Sequence, residues 1–309
     1  MMTAVSAVSA VSAVSGPGHP FDWHLHYVWL LAVVGLIVGY LRLTSTSESR
    51  WHATTRQKFL FVTGVVLLGA AVTWPLGDLA AHWLLVALVL QRLLLMLAVP
   101  PLLILGTPRP LLVRLTRPTP VDAVLRVVVR PVPAIAIVTV VAVATLTTGA
   151  VNWATHSSVG QVLLELVVLG AGFVLWAPVL HELPGAPKLS ALGRGAYLIV
   201  QSIVPSFLSI VWIFARHPLY PAYAHEGRVI SMTPLLDQQL SGFVAKLGTI
   251  AVLWTVAFVV MTRAESADRA GRDSEPMMWS DVERELERAD RRERRHGWRD
   301  LLPPPQDPS

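Results

Sequence analysis

The chain has 309 residues, 53% of them hydrophobic and only 15% charged, where soluble domains carry about 25% charged residues. That balance, with the apolar residues gathered in blocks of about 20, excludes an ordinary soluble domain and describes a polytopic membrane protein. The net charge of +5 does not mark a nucleic-acid binder, because the basic residues border apolar blocks, and the absence of cysteine excludes disulfides and thiolate chemistry.

Residues 1–24 read as a low-complexity outer tail, in which Ala-Val-Ser repeats from Ala4 to Ser15. No basic stretch precedes the repeat, which argues against a cleaved signal peptide, so the first span is expected to act as the targeting signal. Residues 25–262 form the membrane domain. Seven blocks read as spans: His26–Leu43, Phe59–Trp74, Leu79–Val99, Pro133–Val151, Val159–Leu180, Ala196–Phe214 and Leu240–Met261. The expected fold is an all-α membrane protein of seven transmembrane helices.

Charge sets the expected orientation. Of 25 Lys and Arg, those at Arg42–Lys58, Arg109–Arg130, Lys188, Arg194 and Arg263–Arg299 share one side, while Arg216 and Arg228 lie on the other. Basic loops stay cytoplasmic. The N-terminus is therefore expected outside and the C-terminus inside, which an odd number of spans satisfies. The lipid bilayer is the chain's first partner.

The Arg109–Arg130 loop carries a basic amphipathic stretch, suited to resting on a membrane surface. Residues 263–309 form a charged cytoplasmic tail with one expected helix, N-capped by Ser280. Its apolar stripe is Trp279, Val282, Leu286 and Ala289, and Glu287 pairs with Arg291 one turn on.

Two groups of residues could carry chemistry. Seven of ten histidines map to the outer side, among them His24, His26, His82, His156 and His217, and imidazole is a common ligand for copper and zinc. No histidine pair has the i,i+4 spacing that would put two ligands on one helix face. Three ionisable residues lie within spans: Arg92, Glu165 and Lys246. Such residues are rare in a bilayer and need a partner. Counting ~1.5 Å per residue puts Glu165 and Lys246 at roughly the same depth and Arg92 deeper. The Arg92 side chain leans back toward the outer side, so an Arg92–Glu165 contact with Lys246 nearby is expected. No nucleotide-binding, metalloprotease or nucleophile-elbow motif is present, so an enzyme is disfavoured. Gly170, Ala171, Gly172 and Ala177 suit close helix packing.

Several stretches together resemble the CtaG-type assembly factors of bacterial haem–copper cytochrome c oxidases. They are FDWHLH (Phe21–His26), QRLLLMLAVPPLLILGTP (Gln91–Pro108), GFVLWAPVL (Gly172–Leu180), HPLYPAYA (His217–Ala224) and TPLLDQQLSG (Thr233–Gly242). Their order and spacing carry the resemblance over about Phe21 to Met261, and the span count matches. The resemblance implies a role in maturing the oxidase, in contact with its subunits and linked to copper supply.

This chain departs from the family's pattern. Where members usually carry His-x-x-x-His in the third span, it has Leu88 and Arg92. Where a second pair lies in the fifth span, it has Gln161 and Glu165, and where Met and Trp are favoured in the seventh it has Ala245 and Lys246. Guanidinium and ammonium groups cannot ligate a metal while charged. The expectation is a divergent member in which copper handling, if present, falls to the outer histidines. The alternatives are a metal-free structural partner of a respiratory complex and, with no inverted repeat in its favour, a small-solute transporter.

Overall fold

The computed structural model describes residues 27–45, 51–73, 75–116, 127–180, 189–224 and 232–274, together with Glu287 and Arg291. Among them every regular element is helical. The chain divides into two compact units, Met1–Met261 and Thr262–Ser309. In the first unit α1 spans Tyr27–Thr44, α2 Thr55–Val72, α3 Leu76–His82 and α4 Leu85–Leu93. A π-helical turn at Leu94–Ala98 leads into α5, Val99–Gly106, and α6 covers Arg109–Thr116. Then come α7 (Pro131–Thr145), α8 (Thr148–His156), α9 (Ser158–Leu180) and α10 (Ala191–Ile213). A short 3-10 turn at Pro221–Tyr223 precedes α11, Pro234–Ser274.

Among the described residues, five helical stretches are long and apolar enough to cross a membrane: Thr55–His82, Leu85–Gly106, Ser158–Leu180, Ala191–Ile213 and Pro234–Ser266. The α7–α8 pair makes a sixth if its 63° bend is counted as one broken span. The apolar helix Leu30–Thr44 is shorter than these. Large apolar side chains such as Leu31 and Phe258 stand 70% and 68% exposed, which fits helices that face lipid rather than water.

Three boundaries differ from the sequence reading, each for a local reason. The third span starts at Leu85 rather than Leu79, because the backbone turns extended at Leu84 between α3 and α4. It also runs on through Pro100 and Pro101 to Gly106. These prolines sit in the first turn of α5, directly after the π turn, where a missing N–H is tolerated. The fourth span breaks at Leu146–Thr147, and Thr147 restarts it by accepting a hydrogen bond from the Ala150 N–H at 3.4 Å.

Packing away from these breaks relies on small residues. A Cβ on Gly106 would come 2.5 Å from the Phe61 backbone nitrogen, so only glycine lets α5 approach α2 this closely. The Tyr40 hydroxyl donates to the Gly106 carbonyl at 2.5 Å, and the Tyr40 ring stacks on Phe61 with centroids 3.7 Å apart. Gly172 gives α9 the same access: a Cβ there would meet Pro100 Cγ at 2.6 Å and the Met96 carbonyl oxygen at 2.7 Å. Pro100 has no N–H to offer that oxygen four residues back. Trp176, one turn beyond Gly172, donates its indole N–H to it at 3.2 Å.

In the second unit, α11 continues to Ser274, and Glu287 and Arg291 form the expected i,i+4 ion pair at 2.9 Å, both exposed. Ser280 and the Trp279–Ala289 stripe lie outside the described residues.

Candidate functional site

Broken helices leave backbone groups unpaired, and in a low-dielectric interior these need partners. At one end of the first unit, side chains distant in sequence supply them. The Asp237 carboxylate, fully buried at the start of α11, accepts from the Leu85 and Val86 N–H groups, both at 3.0 Å. It thereby caps the N-terminus of α4, where a negative charge also suits the helix dipole. At the α7–α8 break, Arg92 donates from Nη1 to the Thr145 carbonyl at 2.6 Å, and the Tyr220 hydroxyl donates to the Leu146 carbonyl at 2.6 Å. A guanidinium at the C-terminal end of α7 is the matching electrostatic choice.

The loop between α10 and α11 is tied into the same layer. The Tyr223 hydroxyl donates to the Ala80 carbonyl at 2.5 Å, and Gln238 accepts from the Leu219 N–H at 2.6 Å. Tyr220 packs edge-on against Trp212. Burial pushes the Tyr220 phenol up to about 12, an effect moderated by its hydrogen bond with Trp212 and by the Arg92 charge. Burial likewise raises Tyr223.

Beneath this layer lies a small cavity. Leu88, Gln91 and Arg92 from α4, Gln161 and Glu165 from α9, and Tyr223 line it. Glu165 Oε1 accepts from Gln91 Nε2 at 2.9 Å and from Gln161 Nε2 at 3.2 Å. Gln91 donates also to the Ala71 carbonyl at 3.0 Å, so its amide bridges α2 and α9. Arg92 and Glu165 therefore share one cavity, with a guanidinium and a carboxylate on its walls. Lys246 lines neither this cavity nor the second one in the unit.

His82, His156 and His217 are exposed. His82 ends α3, His156 ends α8 with Nδ1 2.8 Å from the Asn152 carbonyl oxygen, and His217 lies in the loop after α10. Among the described residues, no three His, Cys, Asp or Glu side chains form a group that could hold a metal. His24 and His26 lie outside them.

Residues 34–265 match the family model for the cytochrome c oxidase caa3 assembly factor. The chain belongs to this family. No curated protein and no solved structure matches it.

Membership makes an assembly role for cytochrome c oxidase the indicated function. By the CtaG resemblance noted above, two pairs of histidines are expected where this chain has Leu88, Arg92, Gln161 and Glu165. All four line the same cavity. Their chemistry does not suit copper: leucine offers no donor atom, the guanidinium has no lone pair to give, and Glu165 is engaged by two amides. Sequence reasoning singled out Arg92 and Glu165 but missed the carbonyl that Arg92 caps, as well as Asp237 and Gln91 as cross-helix partners. The Thr-Thr-Gly of residues 147–149 after an apolar run is the one signal that pointed to the break.

Proposed function

We propose that the chain serves cytochrome c oxidase assembly as a seven-span protein of the bacterial cytoplasmic membrane, with its N-terminus outside and its C-terminus in the cytoplasm. The match over residues 34–265 carries the assembly reading. The concentration of Lys and Arg in alternate loops supports the orientation, and the apolar helix Leu30–Thr44 supplies the span needed to reach seven. In this orientation the layer built from Asp237, Tyr220 and Tyr223 faces outward, together with His82, His156 and His217. Oxidase subunits are the partner, engaged at that end, and the role is non-catalytic. A link to copper supply would rest on His24, His26, His82, His156 and His217, because the donors around Arg92 do not fit the metal.

The test is cytochrome c oxidase activity in membranes of a deletion strain, with and without added copper. Lost activity supports the assembly role. Rescue by copper would assign delivery to the outer histidines, and loss without rescue a metal-free role. Unchanged activity would overturn the reading.

A further inference from the structure

A second cavity lies among the helices of the first unit, with about 680 Å³ of empty space counted to its open mouth. It is bounded by α4 and the π turn, α7, α9, α10 and α11. Its walls are apolar apart from a few groups, and one of these is anomalous. Gln201 in α10 is 2% exposed, and neither its Nε2 nor its Oε1 has a hydrogen-bond partner. A buried polar group left unpaired is destabilising, so an amide with both ends unpaired is an unfavourable residue to keep among leucines. Pro205, one turn on, adds to the polarity, since it lacks the N–H that would bond the Gln201 backbone carbonyl. Arg92 lines this cavity as well as the first.

We propose that this cavity binds a membrane-soluble molecule with a long apolar body and one small oxygen-bearing group, a carboxyl or a hydroxyl, which pairs with the Gln201 amide. The apolar walls take the body, as lipid would. Gln201 supplies both a donor and an acceptor, and Arg92 favours an oxygen acceptor at the same wall. The site is separate from the assembly reading and does not depend on it.

Trp212 lines the cavity and is 2% exposed, so it reports occupancy directly. The full chain, in lipid nanodiscs, is titrated with dibromostearic acid and, separately, with the corresponding dibrominated alcohol, whose bromines quench indole fluorescence. Saturable quenching by either probe is expected, and the better probe identifies the polar group. Trp212→Phe should remove most of the saturable signal. Gln201→Met should weaken binding about tenfold, the value of one lost buried hydrogen bond, while raising the melting temperature of the ligand-free protein because the unpaired amide is gone. Ala142→Phe, which fills the space from α7, should abolish saturation. Quenching by both probes that rises without saturation, or that is the same in wild type, Gln201→Met and Ala142→Phe, would overturn the proposal.

Discussion

Where α4 and α11 begin, several buried side chains meet backbone groups that broken helices leave unpaired; where α2 meets the end of α5, backbone packs closely on backbone through a glycine. At the first place Asp237, Arg92 and Tyr220 each reach across more than fifty residues of sequence to cap a helix end. At the second, Gly106 leaves no room for a methyl group, and one phenol, Tyr40, completes the contact. The difference is one of balance: at the α2–α5 contact close packing dominates and a single phenol serves the last carbonyl of α5, whereas the breaks at the other end need several donors and acceptors. Breaks therefore gather polar residues, and polar residues in turn create cavities with character.

The sharpest way to break this comparison is at Asp237. Asp237→Ala would orphan two buried N–H groups and should destabilise the protein by about 3–5 kcal/mol, seen as a lowered melting temperature and as faster hydrogen exchange at Leu85 and Val86. Asp237→Asn keeps one acceptor oxygen and should lose less. An Asp237→Ala protein with unchanged exchange at these two amides would mean that the α4 cap is dispensable. At the opposite region, Gly106→Ala should cost about 1–3 kcal/mol through overpacking against the Phe61 backbone, with exchange at Leu85 and Val86 unaffected. Exchange that rises equally at both ends would show that the two regions are not separable.

Smaller effects sharpen the picture. Trp176→Phe keeps an aromatic ring but removes the donor to the Met96 carbonyl and part of the volume of a buried indole, and should cost about 2 kcal/mol in thermal unfolding of the purified protein. The tyrosine layer should add an alkaline limb to stability. The folded-state value of Tyr220 is raised from 10.0 to about 12, so its contribution is fully present below pH 10 and is lost as pH rises toward 12. Tyr220→Phe should flatten the fall in melting temperature over that window. Tyr223, raised in the same direction, keeps part of it.

Hydropathy made the helical fold legible, because it is summed over many residues and tolerates local error. The α9 and α10 boundaries, expected at Val159–Leu180 and Ala196–Phe214, fall at Ser158–Leu180 and Ala191–Ile213. The breaks were not legible. Leu79–Leu84 is as apolar as a span, and what stops the helix at His82 is an extended turn at Leu84 backed by a carboxylate 153 positions away, at residue 237. Pro100 and Pro101 looked like an end because proline removes an N–H. The π turn and the Trp176 indole, neither visible from local sequence, let the helix continue. Arg92 announced itself as an intramembrane charge, yet the Thr145 carbonyl it caps has no residue signature of its own. Gln201 has no local signature either: nothing in the sequence of α10 shows that its amide is buried without a partner.

The most direct test of the idea that capped breaks shape the functional end is complementation of the deletion strain with Arg92→Met and, beside it, Gly106→Ala, each at wild-type membrane levels. Arg92→Met removes the donor to the Thr145 carbonyl and the charge from both cavities, and cytochrome c oxidase activity should fall to that of the deletion strain. Gly106→Ala should retain activity. Full oxidase activity with Arg92→Met would contradict the functional importance of the polar end.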